Sequence, residues 1–188
     1  TLTLAGTGLG GTSSNNITLT VTSISGTTTG PITGITSSGT AISGKYVAVS
    51  TGSSTVAGYS VNGTSWTAAT LPGSAANWTS VAYGKISNVG YWVAVASGGT
   101  QAAYSIDGIT WVAATLPASA TWTSVTYGAG KFVAVASGGT DAAYSSNGTT
   151  WTATSALPAS TTWAGVAFGN YLFVAVASNG TQAAYSTN

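Results

Sequence analysis

Between Trp122 and Thr154 the chain passes through four short segments separated by turn residues. Residues 122–127 (Trp-Thr-Ser-Val-Thr-Tyr) alternate aromatic or β-branched residues with small polar ones, which is the two-residue period of a strand. A glycine-containing turn leads to a second strand at 132–136 (Phe-Val-Ala-Val-Ala). A Ser-Gly-Gly-Thr turn leads to a third at 142–145, and Asn147-Gly148 opens a fourth at 150–154. Asn-Gly and Asp-Gly predict type I′ hairpin turns, because both central residues of that turn need positive φ. The unit reads as four antiparallel strands.

The unit recurs. Tyr104-Ser-Ile-Asp-Gly-Ile-Thr-Trp111 returns as Tyr59-Ser-Val-Asn-Gly-Thr-Ser-Trp66 and as Tyr144-Ser-Ser-Asn-Gly-Thr-Thr-Trp151, and a fourth copy begins at Tyr185-Ser186. The tyrosines lie 45, 40 and 41 residues apart. Leu-Pro follows each tryptophan (Pro72, Pro117, Pro158), and a second tryptophan comes next (Trp78, Trp122, Trp163). Four antiparallel strands at this period match a β-propeller blade. The expected fold is all-β, a small β-propeller of about four blades, with first strands at Trp78, Trp122, Trp163 and, in degenerate form, Ile32. The last repeat stops after its third strand. Residues 16–22 (Asn-Ile-Thr-Leu-Thr-Val-Thr) precede Ile32 by the spacing that separates Asn147 from Trp163. An N-terminal strand completing the C-terminal blade would close the ring and leave no open sheet edge. Residues 15–188 are then the propeller. Residues 1–14 form an N-terminal arm whose Thr1-Leu-Thr-Leu4 alternation suits a strand added to a neighbour's sheet.

Composition narrows the class of protein. Lys45, Lys85, Lys131, Asp107 and Asp141 are the only charged side chains, and Arg, Glu, His, Cys and Met are absent. Charged residues are 3% of the chain, against about a quarter in ordinary soluble domains. Seven Trp and nine Tyr still supply a core, unlike the composition of disordered chains. Net charge near zero favours association, and three lysines offer few points to trypsin-like proteases. These features point to an extracellular or virion surface. No run approaches the roughly 18 apolar residues of a membrane span, so no membrane insertion is expected. Three scattered lysines are a poor supply of phosphate contacts, so nucleic acid is not an expected partner.

The segment Ser105-Ile-Asp107-Gly108-Ile-Thr110-Trp111 resembles the Asp-box, or BNR-like, repeat of β-propellers, whose pattern is Ser-x-Asp-x-Gly-x-Thr-Trp. Here the spacing is one residue shorter, and Asn62 and Asn147 replace the aspartate in the other copies. The resemblance covers about eight residues per repeat and implies a hairpin between the third and fourth strands of a blade. The Leu-Pro-x-Ser-x-x-Trp and Tyr-Gly-x-Gly-x-Phe-Val-Ala-Val-Ala segments are also similar to repeats in phage tail-fibre and bacterial surface proteins. Sialidases carry Asp-boxes as well, but their catalysis needs an arginine triad and a Tyr/Glu pair. This chain has neither Arg nor Glu, so the resemblance implies architecture and no activity.

Catalytic chemistry is short of parts. Glycoside hydrolysis needs two facing carboxyl groups, and Asp107 and Asp141 occupy different repeat positions. Asp107 aligns with Asn62 and Asn147, which marks a turn role. Without His or Cys there is no activated nucleophile and no zinc cluster, and no calcium motif is present. The chain is therefore expected not to be an enzyme and to carry no metal or cofactor. Tryptophans are platforms for sugars, but Trp66, Trp111 and Trp151 recur at one repeat position and Trp78, Trp122 and Trp163 at another. That recurrence predicts packing between blades, and Trp92, aligned with Tyr46, Phe132 and Phe173, is a core aromatic by the same logic.

Strand alternation sorts the loops onto two faces. Ser-Gly-Gly-Thr and Leu-Pro-x-Ser loops emerge on one side, and Asp-box and Tyr-Gly-x-Gly turns with all three lysines on the other. If one face binds a ligand, the repeated set Gln101, Asp141 and Gln182 on the first side is the candidate site. The function expected from sequence is a non-catalytic structural or adhesion module of an extracellular fibre or virion. Its partners would be copies of itself or other subunits. The alternative is a lectin-like module that binds a cell-surface glycan or receptor.

Overall fold

The computed structural model describes residues 45–186, and every strand pairing within strands there is antiparallel. The first repeat contributes β1 (Tyr46–Val49), β2 (Val56–Ser60) and β3 (Thr67–Thr70), which form one sheet in that order. The second and third repeats share a six-stranded sheet of β4 (Asn77–Ile86), β5 (Val89–Ser105), β6 (Val112–Gly128), β7 (Lys131–Ser137), β8 (Ala142–Ser145) and β9 (Thr152–Ala153). The last repeat contributes β10 (Trp163–Gly169), β11 (Leu172–Ala177) and β12 (Ala183–Ser186). β5 and β6 are long because each runs through two of the expected segments. β6 pairs with the end of β5 from Gln101↔Thr115 to Tyr104↔Val112, then with β7 from Thr121↔Ser137 to Gly128↔Lys131. It is thus the fourth strand of one repeat and the first strand of the next. The proposed closing strand at 16–22, the degenerate first strand at Ile32 and the arm at 1–14 lie outside the described residues.

One turn assignment from sequence is corrected. Asn62, Asp107 and Asn147 do not have positive φ, so the Asn-Gly and Asp-Gly turns are not type I′. Instead each side chain caps its loop. Oδ1 of Asp107 accepts the N–H groups of Ile109 and Thr110, both at 2.8 Å, and Asn62 and Asn147 repeat the arrangement. The buried hydroxyls of Ser60, Ser105 and Ser145 accept the N–H of Gly63, Gly108 and Gly148 at 2.8, 2.8 and 2.9 Å. A side-chain oxygen that mimics a backbone acceptor removes the need for a second residue at positive φ. Residue pairs with positive φ on both members are found elsewhere: Ser87–Asn88, Ala129–Gly130 and Asn170–Tyr171 lie between the first and second strands of their repeats, and Gly52–Ser53 lies between β1 and β2. Tyr171 at φ 64° departs from the glycine its neighbour uses at Gly130, in a conformation that costs a side-chain-bearing residue roughly 1–2 kcal/mol.

The core lies between repeats. The strands of each repeat have a forward face toward the next repeat and a backward face toward the preceding one. Val93, Val95 and Ala102 of the second repeat pack against Trp122, Phe132, Ala134 and Ala143 of the third. Ala57 and Leu71 meet Trp78, Ala94 and Trp111 one joint earlier, and Val135 and Ala142 meet Trp163 and Ala175 one joint later. Trp78, Trp122 and Trp163 are buried, and their indole N–H groups donate to the carbonyls of Ser54, Ala118 and Ala159 at 3.0–3.1 Å.

Two devices lock the first strands of the described joints. A β-bulge after each of these tryptophans sets Thr79 and Thr123 out of register. Their hydroxyls donate to the carbonyl of the next repeat's tryptophan, Trp122 or Trp163, at 2.8 Å. The following serines accept in return: Val125 N–H reaches Ser80 Oγ at 3.1 Å, and Val166 N–H reaches Ser124 Oγ at 3.2 Å. The second device is steric. The ring of Tyr127 lies where a β-carbon on Gly84 would be, and the ring of Phe168 does the same at Gly128.

Candidate functional site

Gln101, Asp141 and Gln182 occupy equivalent places in three successive repeats, beside the glycine turn that opens the third strand. The geometry follows from that turn. Gly98, Gly138 and Gly180 all have positive φ, and the polar side chain folds back beside the loop's glycine. The side-chain carboxylate of Asp141 lies beside Gly139, and the amide of Gln182 lies beside Gly180. Gln101 Nε2 donates to Ser74 Oγ at 3.3 Å, on the linker ahead of its own first strand. No hydrogen bond joins the three side chains among the described residues. They form a repeated set of separate positions.

The two loop classes lie on opposite sides of the strands. The Ser-Gly-Gly-Thr and Leu-Pro-x-Ser loops meet through the bridges Ser54↔Ala76 and Gly139↔Thr161, and Gly138 N–H donates to Thr161 O at 2.9 Å. On the other side, Lys45 Nζ donates to the carbonyl of Asp107 at 2.7 Å and stands 5.5 Å from the centre of the Tyr59 ring. Lys131 stands in the same way 5.6 Å from the centre of Tyr144, so each of these two cations lies against a tyrosine of its own repeat, and Lys45 also reaches across to the second.

Partial burial works against ionisation of Asp107, but the N–H groups of Ile109 and Thr110 and the hydroxyl of Ser105 together hold its carboxyl below the ordinary value of 3.8. A carboxyl with a lowered folded-state pKa adds stability that is present above the unfolded value and is lost as pH falls through the folded one. Asp107→Asn keeps the Oδ1 cap, as Asn62 and Asn147 show. Its melting temperature should differ little from wild type at neutral pH, with the difference disappearing on acidification below about pH 4. Melting curves that stay equally separated at every pH would contradict this role.

The tryptophans behave unequally. Trp111 and Trp151 sit between repeats with their indole N–H groups unpartnered, so packing alone holds them. Trp66, expected in the core by its alignment, is half exposed, because among the described residues no repeat covers the backward face of the first sheet. A cavity of about 560 Å³ opens between the third and last repeats, lined by Val135, Tyr144, Leu157, Phe173 and Ala184. It lies at the place where Trp151 packs one joint earlier.

Sequence reasoning missed the hydroxyl ladder. The signal was present in Trp78-Thr-Ser and Trp122-Thr-Ser, and it is lost at Trp163-Ala-Gly. Reading each repeat as a self-contained hairpin set hid it, since the partners lie 40 or more residues away.

Taken together, the described residues define an all-β repeat protein of the β-propeller type. The fold is similar to that of selenomethionine-substituted virginiamycin B lyase from Staphylococcus aureus, at 10% identity and a TM-score of 0.55, with 70% of this chain and 48% of that one covered. It is also similar to a streptogramin B lyase structure, at 12% identity and a TM-score of 0.54, covering 71% and 48%. The chain spans about half the length of these proteins, and at such identities the likeness concerns the fold alone. No protein-family model matches the chain, and no curated protein matches it by sequence.

Proposed function

We propose that this chain is a non-catalytic scaffold, a β-propeller module of an extracellular fibre or virion assembly whose partners are copies of itself or other subunits. One observation carries the reading: three of the five charged side chains, and most of the recurring tryptophans, are absorbed into the repeat. Asp107 caps a turn, Lys45 and Lys131 lie against tyrosines of their own repeats, and the paired tryptophans fill the joints. The Asp-box resemblance fits the same reading, because the Ser-x-Asp/Asn-Gly loops serve as hairpin caps. The lyase chemistry of the structural neighbours stays with those proteins.

The lectin-like alternative rests on the recurrence of Gln101, Asp141 and Gln182 on one loop face, where several weak equivalent sites would gain strength together. One experiment separates the two. The scaffold reading expects the purified chain to show a molar mass above its monomer value of 18.3 kDa by light scattering, and the Gln101→Ala/Asp141→Ala/Gln182→Ala variant to show the same mass. A monomer that binds a glycan array through those three side chains would replace the scaffold reading with the lectin one.

A further inference from the structure

We propose that a second copy of this chain packs head to tail on the first, the forward face of the last repeat seating on the backward face of the neighbour's first repeat. The proposal rests on the scaffold reading and says where the joint lies.

The repeat itself supplies the argument. At the joints between the first and second and between the second and third repeats, a forward face carrying two valines and an alanine meets a backward face carrying an aromatic residue, small residues and a tryptophan, and at the last joint Val135 and Ala142 again meet Ala175. The last repeat presents the forward set again as Val174, Val176 and Ala183. Val176 is 48% exposed, whereas its equivalent Val135 is 2% exposed. The first repeat presents the backward set as Tyr46, Ala48, Gly58 and Trp66. Tyr46 is 56% exposed and Trp66 49%, whereas Phe132, the equivalent of Tyr46, is fully buried. An apolar hollow of about 340 Å³ opens there beside Ala48, Gly58 and Trp66. The two exposed surfaces are therefore the two halves of one kind of joint, already made inside the molecule.

Other details fit an occupant with this chemistry. Leu172 stands on the forward face where Lys45 and Lys131 stand in earlier repeats, so the end face is more apolar than the inner ones. Gly169 aligns with Gly84 and Gly128, which receive aromatic rings, and no described residue lies over it. Ala164 and Gly165 replace the Thr-Ser pair, so this joint lacks the hydroxyl ladder of the inner joints and rests on apolar contact. The joint is consequently weaker than those inside the chain and its assembly reversible. A surface of one kind meeting its complement on the next copy is heterologous, and it builds a ring where the rotation closes.

The test is complementation with the full 188-residue chain. Trp66→Asp spoils the backward face and keeps the forward one, and Val176→Asp does the reverse. Both positions are exposed, and circular dichroism with thermal melting checks that each variant folds. Light scattering should find wild type assembled in a concentration-dependent way and each variant monomeric. An equimolar mixture of the two should form a pair, since one intact face of each kind remains. Variants that assemble like wild type, or a mixture that stays monomeric while wild type assembles, would overturn the placement and leave the scaffold reading standing. A monomeric wild type, as a ring closed within one chain requires, would overturn both.

Discussion

Trp122→Ala should lower the stability of the chain by about 3–5 kcal/mol, the range measured for deleting a large buried aromatic side chain. Trp122 is fully buried between the second and third repeats, against Val93, Val95 and Leu116 on one side and Phe132 and Ala134 on the other. The substitution empties the middle of that cluster and also removes the indole N–H bond to Ala118 O at 3.1 Å. Its neighbours are strands fixed by sheet hydrogen bonds, so they cannot collapse into the space. Set against a typical total of about 5–15 kcal/mol for a domain, the loss is a large share of the whole. Trp66→Ala, measured at a dilution where the chain is monomeric, should cost on the order of 1 kcal/mol or less, as for a surface residue. Urea titrations of the two variants decide the matter. Equal losses would mean that the joints are not where the stability resides.

Gly128→Ala should destabilise by about 1–3 kcal/mol, the usual range for overfilling a packed site. In an ordinary strand the same change is favourable by roughly 0.5–1 kcal/mol, because alanine loses less backbone entropy on folding. The sign is reversed here because the ring of Phe168, from the next repeat, occupies the position of the new β-carbon. Phe168 cannot swing away freely, since it also packs, tilted, against Phe173 with ring centres 4.8 Å apart. Gly84→Ala should behave in the same way through Tyr127, which packs, tilted, against Phe132 at 4.9 Å. Gly169→Ala is the control. No described residue comes within 4 Å of its β-carbon position and its φ is not positive, so it should be neutral or slightly stabilising. Thermal melts of the three variants would settle this, and a destabilised Gly169→Ala would show that the last repeat's forward face is already covered.

Much of this architecture was legible from local pattern. The alternation in Trp122-Thr-Ser-Val-Thr-Tyr127 and the apolar run at 132–136 place strands where β6 and β7 are found. The period of Tyr59, Tyr104, Tyr144 and Tyr185 marks the repeat, because each strand set cannot bury its own two faces and must stack on a copy of itself. The sorting of loops onto two faces followed from counting strand reversals, and the bridges Ser54↔Ala76 and Gly139↔Thr161 join loops on one of those faces. The turn chemistry was misjudged at Asn62, Asp107 and Asn147. The Asn-Gly pair signals a type I′ turn only when the side chain is not already serving as an acceptor, and the buried serine two residues earlier decides otherwise.

By itself, the sequence determined the strand periodicity, the repeat, the near absence of charge and the lack of the residue types that most catalysis needs. All of these are properties of neighbours in the chain or of simple composition. Only the tertiary structure decided which copy of a recurring residue is buried. Trp66 and Trp111 read alike, yet one is half exposed and the other lies in a joint, because burial belongs to the face opposite and not to the residue. The structure likewise decided that Thr79 and Ser80 bind the next repeat, across a sequence distance of 40 or more residues that no local pattern encodes.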